Sequence, residues 1–172
     1  MIFLTVGTQF PFDRLVKAVD DCIGCGVITE PVFAQTGRGN YKPAHMDFAE
    51  TLARDQYAER FRQASAVIAH AGIGTIVMAL DAHKPLLVMP RLKRFGEIVN
   101  DHQVATAQRF AELGHVLSAA DESQVEPMLV RLFTFAPVRR VPDVEALVSR
   151  VGSFLNDLQV SRNNLTAGHT RR

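Results

Sequence analysis

Ile2 to Val6 form a short apolar run closed by Gly7, and Leu15, Val16, Val19 and Ile23 then recur at the spacing of one helix face. That is a strand followed by an amphipathic helix, and the alternation repeats. Val32-Phe33-Ala34-Gln35 stops at Gly37 and Gly39, and a polar helical stretch runs from about Ala49 to Arg62. Val67-Ile68-Ala69 precedes a helix over Ile73 to Leu80. Leu86 to Met89 follows Pro85 and ends at Pro90, and a long loop then leads into a helix from about Asp101 to Leu113. His115-Val116-Leu117 is a last, weak strand. Two helices close the pattern. The first carries Val125, Met128, Leu129, Leu132 and Phe133, with Pro127 near its first turn, where a missing N–H is tolerated. The second carries Val144, Leu147, Val148, Val151, Leu155 and Leu158 behind Asp143 as N-cap.

Short apolar strands alternating with helices predict an α/β fold with a parallel sheet covered on both faces, because parallel strands need crossover connections. The expected architecture is a single Rossmann-like domain of about five strands. It spans residues 1–158 with its C-terminal helices, and residues 159–172, with Arg162, Arg171 and Arg172 and no acid, are expected to be a flexible basic tail. Asn164-Leu165-Thr166 fits a glycosylation pattern that means nothing in such a tail of a cytosolic protein.

Composition narrows the function classes. The 172 residues hold 19 Lys and Arg against 18 Asp and Glu, a net charge of +1 that argues against a polybasic nucleic-acid binder. With 47% apolar residues the chain is globular, and no apolar run approaches the ~20 residues that cross a bilayer. No basic flank precedes the apolar N-terminus, so a cytoplasmic protein that begins directly with a strand is expected. The two cysteines form Cys22-x-x-Cys25, which closes a helix where a thioredoxin-type dithiol opens one. Neither a second pair nor a nearby His completes a zinc site, so these are read as inert thiols and no metal is expected.

Ligands of open α/β sheets bind outside the carboxyl ends of the strands, and three loops there carry chemistry. Gly7-Thr8-Gln9 follows the first strand; its glycine lets backbone N–H groups approach a ligand, although plain chain reversal also needs a glycine there. His70-Ala71-Gly72-Ile73-Gly74-Thr75 joins a buried strand to an apolar helix. Gly72 and Gly74 leave space at a helix start that favours anions, Thr75 adds a hydroxyl and His70 an imidazole. The spacing is neither G-x-G-x-x-G nor a Walker A. The third loop, Pro90 to Gln103, is long for a βα connection and holds Arg91, Lys93 and Arg94, offset by Glu97 and Asp101. It reads either as a solvated loop or as one that folds over an anionic substrate, with His102 and Gln103 facing the same cleft.

Together these segments resemble a family. The run His70 to Thr75, Lys84-Pro85-Leu86-Leu87-Val88-Met89-Pro90, Asp101-His102-Gln103 and Gly114 are similar to the donor-binding C-terminal domain of GT-B nucleotide-sugar glycosyltransferases, of family 28 type. Val6-Gly7-Thr8-Gln9, Phe12-Asp13-Arg14-Leu15 and Gln35-Thr36-Gly37 narrow the resemblance to the free-standing soluble subunit of split transferases. These include the eukaryotic enzyme that adds the second N-acetylglucosamine to the dolichol-linked precursor, and bacterial capsule and exopolysaccharide β-1,4-glucuronosyltransferases. The Pro90 to Gln103 loop with Phe95-Gly96-Glu97 looks closest to the bacterial group, and the resemblance covers about residues 1–117.

The resemblance implies half of a GT-B enzyme, the donor-binding, catalytic subunit of an inverting glycosyltransferase. It would transfer a sugar from a UDP-sugar, which is a substrate and not a cofactor, to a lipid-linked saccharide acceptor. A membrane-associated acceptor-binding subunit would recruit it to the cytosolic face of the membrane. The implied substrate-binding residues are Gly7, Thr8, Gln9, His70, Gly72, Gly74, Thr75, Arg91, Glu97 and Gln103, with His102 as the local choice of general base unless the partner supplies it. The basic cluster at Arg91, Lys93 and Arg94 suggests glucuronate as the sugar. One residue departs from the family. Where an acidic side chain usually holds the ribose hydroxyls stands Met78, so either Glu97 replaces that carboxylate or Met78 is core. The rival reading is a non-catalytic nucleotide-binding assembly subunit. A phospho-receiver domain is disfavoured because the first strand does not end in an acidic cluster.

Overall fold

A computed structural model describes residues 1–139 of the chain. Six parallel strands, β1 (Ile2–Thr5), β2 (Val32–Gln35), β3 (Asp47–Ala49), β4 (Ala66–His70), β5 (Leu86–Met89) and β6 (Leu117–Ser118), form one sheet in the order β3-β2-β1-β4-β5-β6. Five helices connect and follow them: α1 (Asp13–Gly24), α2 (Arg54–Gln63), α3 (Ile73–Asp81), α4 (His102–Glu112) and α5 (Val125–Leu132).

The two-residue period of β1 divides the interior. Ile2, Leu4 and Val6 pack with Leu15, Val16 and Val19 of α1 and Val125, Leu129 and Leu132 of α5. Phe3 points the other way, into a second layer with Phe61 of α2, Ile76, Ala79 and Leu80 of α3 and Ala107 of α4. Burial on both faces explains why β1, β4 and β5 read as unbroken apolar runs and not as alternating ones.

The sheet has one strand more than the five expected. β3 lies within the loop and the start of the polar stretch whose pattern predicts a helix from about Ala49, and the helix there begins only at Arg54. Three residues at a sheet edge, with Asp47 and Phe48 exposed, give no alternation to detect. β6 is shifted from His115-Val116-Leu117 to Leu117–Ser118, in register with Leu87 and Val88. Phe133, assigned to an apolar helix face, lies just past α5 and is exposed. The helix expected over residues 143–158, and the tail, lie outside the described residues.

The chain runs outward from β1 to β3, then returns to place β4 on the other side of β1. The connections therefore diverge between β1 and β4, and their carboxyl ends open a crevice there.

Candidate functional site

The loops after β1 and β4 meet in that crevice. Gly7 has φ +72°, a left-handed conformation that only glycine adopts without strain, and a Cβ on it would stand 3.2 Å from Cε1 of His70. A Cβ on Gly72 would lie 2.3 Å from Nε2 of the same imidazole. The His70 ring thus lies against two glycines whose lack of side chains makes room for it. Burial first, and the charge of Arg91 second, push its pKa down to about 4, so the ring is neutral near pH 7.

Gly72 is the N-cap of α3 and supplies no side-chain cap, so the first N–H groups of the helix have no side-chain acceptor. The amides of Ile73 and Gly74, the half-buried Thr75 and the positive end of the helix dipole face the crevice together. Gly74 is exposed, and a Cβ there would meet nothing within 4 Å. Thr8 and Gln9 are exposed on the first loop. The structure therefore brings Gly7, Thr8, Gln9, His70, Gly72, Gly74 and Thr75 to one edge of the sheet, as an anion-binding site requires.

The third loop is arranged differently from the expectation of free cations and a free carboxylate. Arg91 is 4% exposed and turned inward, its Nη2 donating to the carbonyls of Val6 and Phe10 at 2.5 and 2.6 Å. Gln103 is buried as well, its Oε1 accepting the backbone N–H of Arg91. Glu97 is not available to ribose hydroxyls. Its two oxygens accept Nε and Nη2 of Arg14 at 2.7 and 2.8 Å, and Oε2 also takes the N–H of Leu92. Met78 is not core; it is 40% exposed on α3. His102, the first residue of α4, is exposed, and both its backbone N–H and its Nδ1 meet Oδ1 of Asn100. Lys93 and Arg94 remain exposed, so the cluster of three cations is reduced to two at the surface.

Asp13, Arg14 and Thr36 enter the sequence reading only within the segments that carry the family resemblance, and not among the expected site residues. Arg14 orders the third loop through Glu97 and through its stacking on Phe95, 4.2 Å from the ring centroid. Among the described residues, the buried side-chain polar atoms without a protein partner are Oδ1 of Asp13, Oγ1 of Thr36, Nδ1 of His70 and Nε of Arg91. All four residues follow the carboxyl ends of β1, β2, β4 or β5 or stand at them. Buried polar groups are normally paired, so their concentration at one edge marks it as the polar centre of the molecule. A cleft of about 450 Å³ lies elsewhere, between α1 and the segment before α5, and its lining includes none of the expected site residues. Among the described residues no three His, Cys, Asp or Glu side chains gather as metal ligands, and no helix is long and apolar enough to cross a membrane.

The glycosyltransferase family 28 C-terminal domain matches residues 1–143. The chain belongs to that family. It is 33% identical over 124 residues to the UDP-N-acetylglucosamine transferase subunit ALG13 of Mus musculus, covering 66% of this chain and 10% of the mouse protein. Against the subunit of the same name from Yarrowia lipolytica it is 26% identical over 136 residues, covering 73% and 67%. The chain thus spans about a tenth of the length of the mouse relative and two thirds of the yeast one. A solution structure of ALG13 superposes with a TM-score of 0.54 at 24% identity, over 85% of this chain and 93% of that one. The spinosyn forosaminyltransferase SpnP gives 0.53 at 16% identity, over 76% of this chain and 34% of that one. These likenesses carry the fold, that of the C-terminal, Rossmann-like half of a GT-B glycosyltransferase.

Proposed function

We propose that the chain is the donor-binding subunit of a two-subunit glycosyltransferase, using a UDP-sugar as substrate. The observation that carries this reading is the meeting of the Gly7 loop, the neutral His70 and the uncapped start of α3 at the point where the sheet connections diverge. The diphosphate lies over the first turn of α3, receiving N–H groups of residues 73–75, the Thr75 hydroxyl and the Thr8 and Gln9 side of the facing loop. As the glycosidic bond to the donor phosphate breaks, negative charge grows on the departing diphosphate, and these fixed dipoles stabilise it without reorganising. No metal is required when a helix start and backbone amides perform that task. The acceptor hydroxyl attacks from the opposite face of the sugar with inversion, and its general base comes from the partner subunit or from His102, which is exposed at the start of α4.

The relatives named UDP-N-acetylglucosamine transferase subunits support N-acetylglucosamine as the sugar. Glucuronate, in a polysaccharide pathway, is the second reading, supported by Lys93 and Arg94 alone now that Arg91 is buried. The acceptor is lipid-linked, and a membrane-associated subunit supplies its binding site and brings this chain to the cytosolic face. The test is transfer of radiolabelled sugar from UDP-N-acetylglucosamine and from UDP-glucuronate by membranes carrying the partner, with and without this chain. Transfer that needs the chain supports the catalytic reading, and the preferred donor separates the two sugars. Equal transfer in its absence leaves the non-catalytic assembly subunit, to which the exposed Met78 in place of a ribose-binding carboxylate already points.

A further inference from the structure

Arg91 is the most buried cation among the described residues, at 4% exposure, and no carboxylate of those residues lies within hydrogen-bonding distance of it. Its nearest acid, Glu97, is engaged by Arg14. Burying a charge on carbonyl partners alone is costly, so such a residue is expected to perform a task that a neutral side chain cannot. Its partners identify the task. One nitrogen, Nη2, spans the carbonyls of Val6 and Phe10, the last residue before and the first residue after Gly7-Thr8-Gln9. The guanidinium closes the base of that loop like a clasp, from the side away from solvent. It is itself anchored, because Oε1 of Gln103 on α4 fixes its backbone N–H at 3.1 Å and the ring of Phe12 lies 5.3 Å from its Cζ.

We propose that Arg91 is a positioning residue for the anion-binding edge, shaping the Gly7–Gln9 loop from behind and adding positive potential there without touching the ligand. This rests on the donor-binding reading for the identity of the ligand, while the clasp stands on the hydrogen bonds alone. Two consequences follow from the geometry. Drawing the Val6 and Phe10 carbonyls inward removes two acceptors from the face where an anion sits, and it fixes a loop whose left-handed Gly7 would otherwise allow many conformations. The charge also reaches across the loop, since it contributes to keeping His70 neutral. Lysine would keep the charge but not the planar guanidinium that lies over the Phe12 ring.

The experiment uses the full chain and the variants Arg91→Met, Arg91→Lys and, as a milder disturbance, Gln103→Met. ¹⁵N relaxation is measured without ligand, UDP affinity is measured by calorimetry, and the His70 pKa is followed by NMR. In the wild type, order parameters at Thr8, Gln9 and Phe10 should be those of rigid backbone, about 0.85, and in Arg91→Met they should fall below about 0.6 while β4 and β5 stay rigid. UDP affinity should fall by about tenfold or more in Arg91→Met and less in Arg91→Lys. The His70 pKa should rise in Arg91→Met, which a purely structural role would not produce. If Arg91→Met does not fold, Gln103→Met should show the same loosening at smaller amplitude. A folded variant with an unchanged loop and an unchanged His70 pKa overturns the proposal. Loosening of the loop in a protein whose wild type binds no UDP would instead uphold the clasp and remove the donor-binding reading.

Discussion

His70 gives the account a quantitative handle through acid. In the unfolded chain its imidazole protonates near 6.5, whereas in the folded chain burial, aided by the charge of Arg91, delays protonation to about 4. Above the unfolded pKa both states hold a neutral ring and nothing is lost. As the pH falls through 6.5 the unfolded state takes up a proton that the native state refuses, so stability declines until the native ring protonates near 4. The full decline is roughly 3 kcal/mol, of which about 2 kcal/mol is lost by pH 5. Carboxylates with lowered pKa act in a separate window. Asp20 and Glu30 stabilise above their unfolded values of 3.8 and 4.5, and their contribution is lost only as the pH falls through their lower folded values. Urea unfolding of wild type and His70→Gln at about pH 7 and about pH 5 isolates the imidazole. The wild type should lose about 2 kcal/mol more than the variant between the two conditions. Equal losses would refute the burial of a neutral ring against Gly7 and Gly72.

Other perturbations test neighbouring parts of the site. Gly72→Ala places a Cβ 2.3 Å from Nε2 of His70 and should displace the ring and weaken UDP binding about tenfold or more, read by calorimetry on the folded variant. Gly74→Ala meets no atom within 4 Å, so it should fold with an unchanged melting temperature, and any loss of UDP affinity would show that the ligand itself approaches Gly74. Glu97→Ala removes the two-point partner of the half-buried Arg14, which keeps its ion pair to Glu122, and leaves the N–H of Leu92 without its acceptor; it should cost about 1–2 kcal/mol in denaturant unfolding. In native thiol titration Cys25, which is exposed, should react at once, while Cys22, buried and with its thiol pushed up to about 11, should react only after unfolding.

The central sheet was legible because β1, β4 and β5 are buried on both faces and so write themselves as apolar runs. β3 was not, because a three-residue edge strand shares no face with the core. The placement of the glycines at 7, 72 and 74 at strand-to-helix turns was legible because a helix start and such a turn have local signatures. The fate of Arg91, Glu97 and Gln103 was not, since a charge count cannot distinguish a cation facing solvent from one that reaches back to Val6, 85 residues earlier. The partner of Glu97 is likewise 83 residues away, at Arg14. Long-range pairing of this kind leaves no mark on local sequence.

The most direct test of donor binding at the β1–β4 crevice is a titration of the ¹⁵N-labelled chain with UDP, followed amide by amide. The account predicts saturable shifts at Gly7, Thr8, Gln9, Gly72, Ile73, Gly74 and Thr75, with a rise in the pKa of His70 as the diphosphate settles beside its ring. Shifts gathered instead at the cleft between α1 and α5, or no saturation at millimolar UDP, would contradict it.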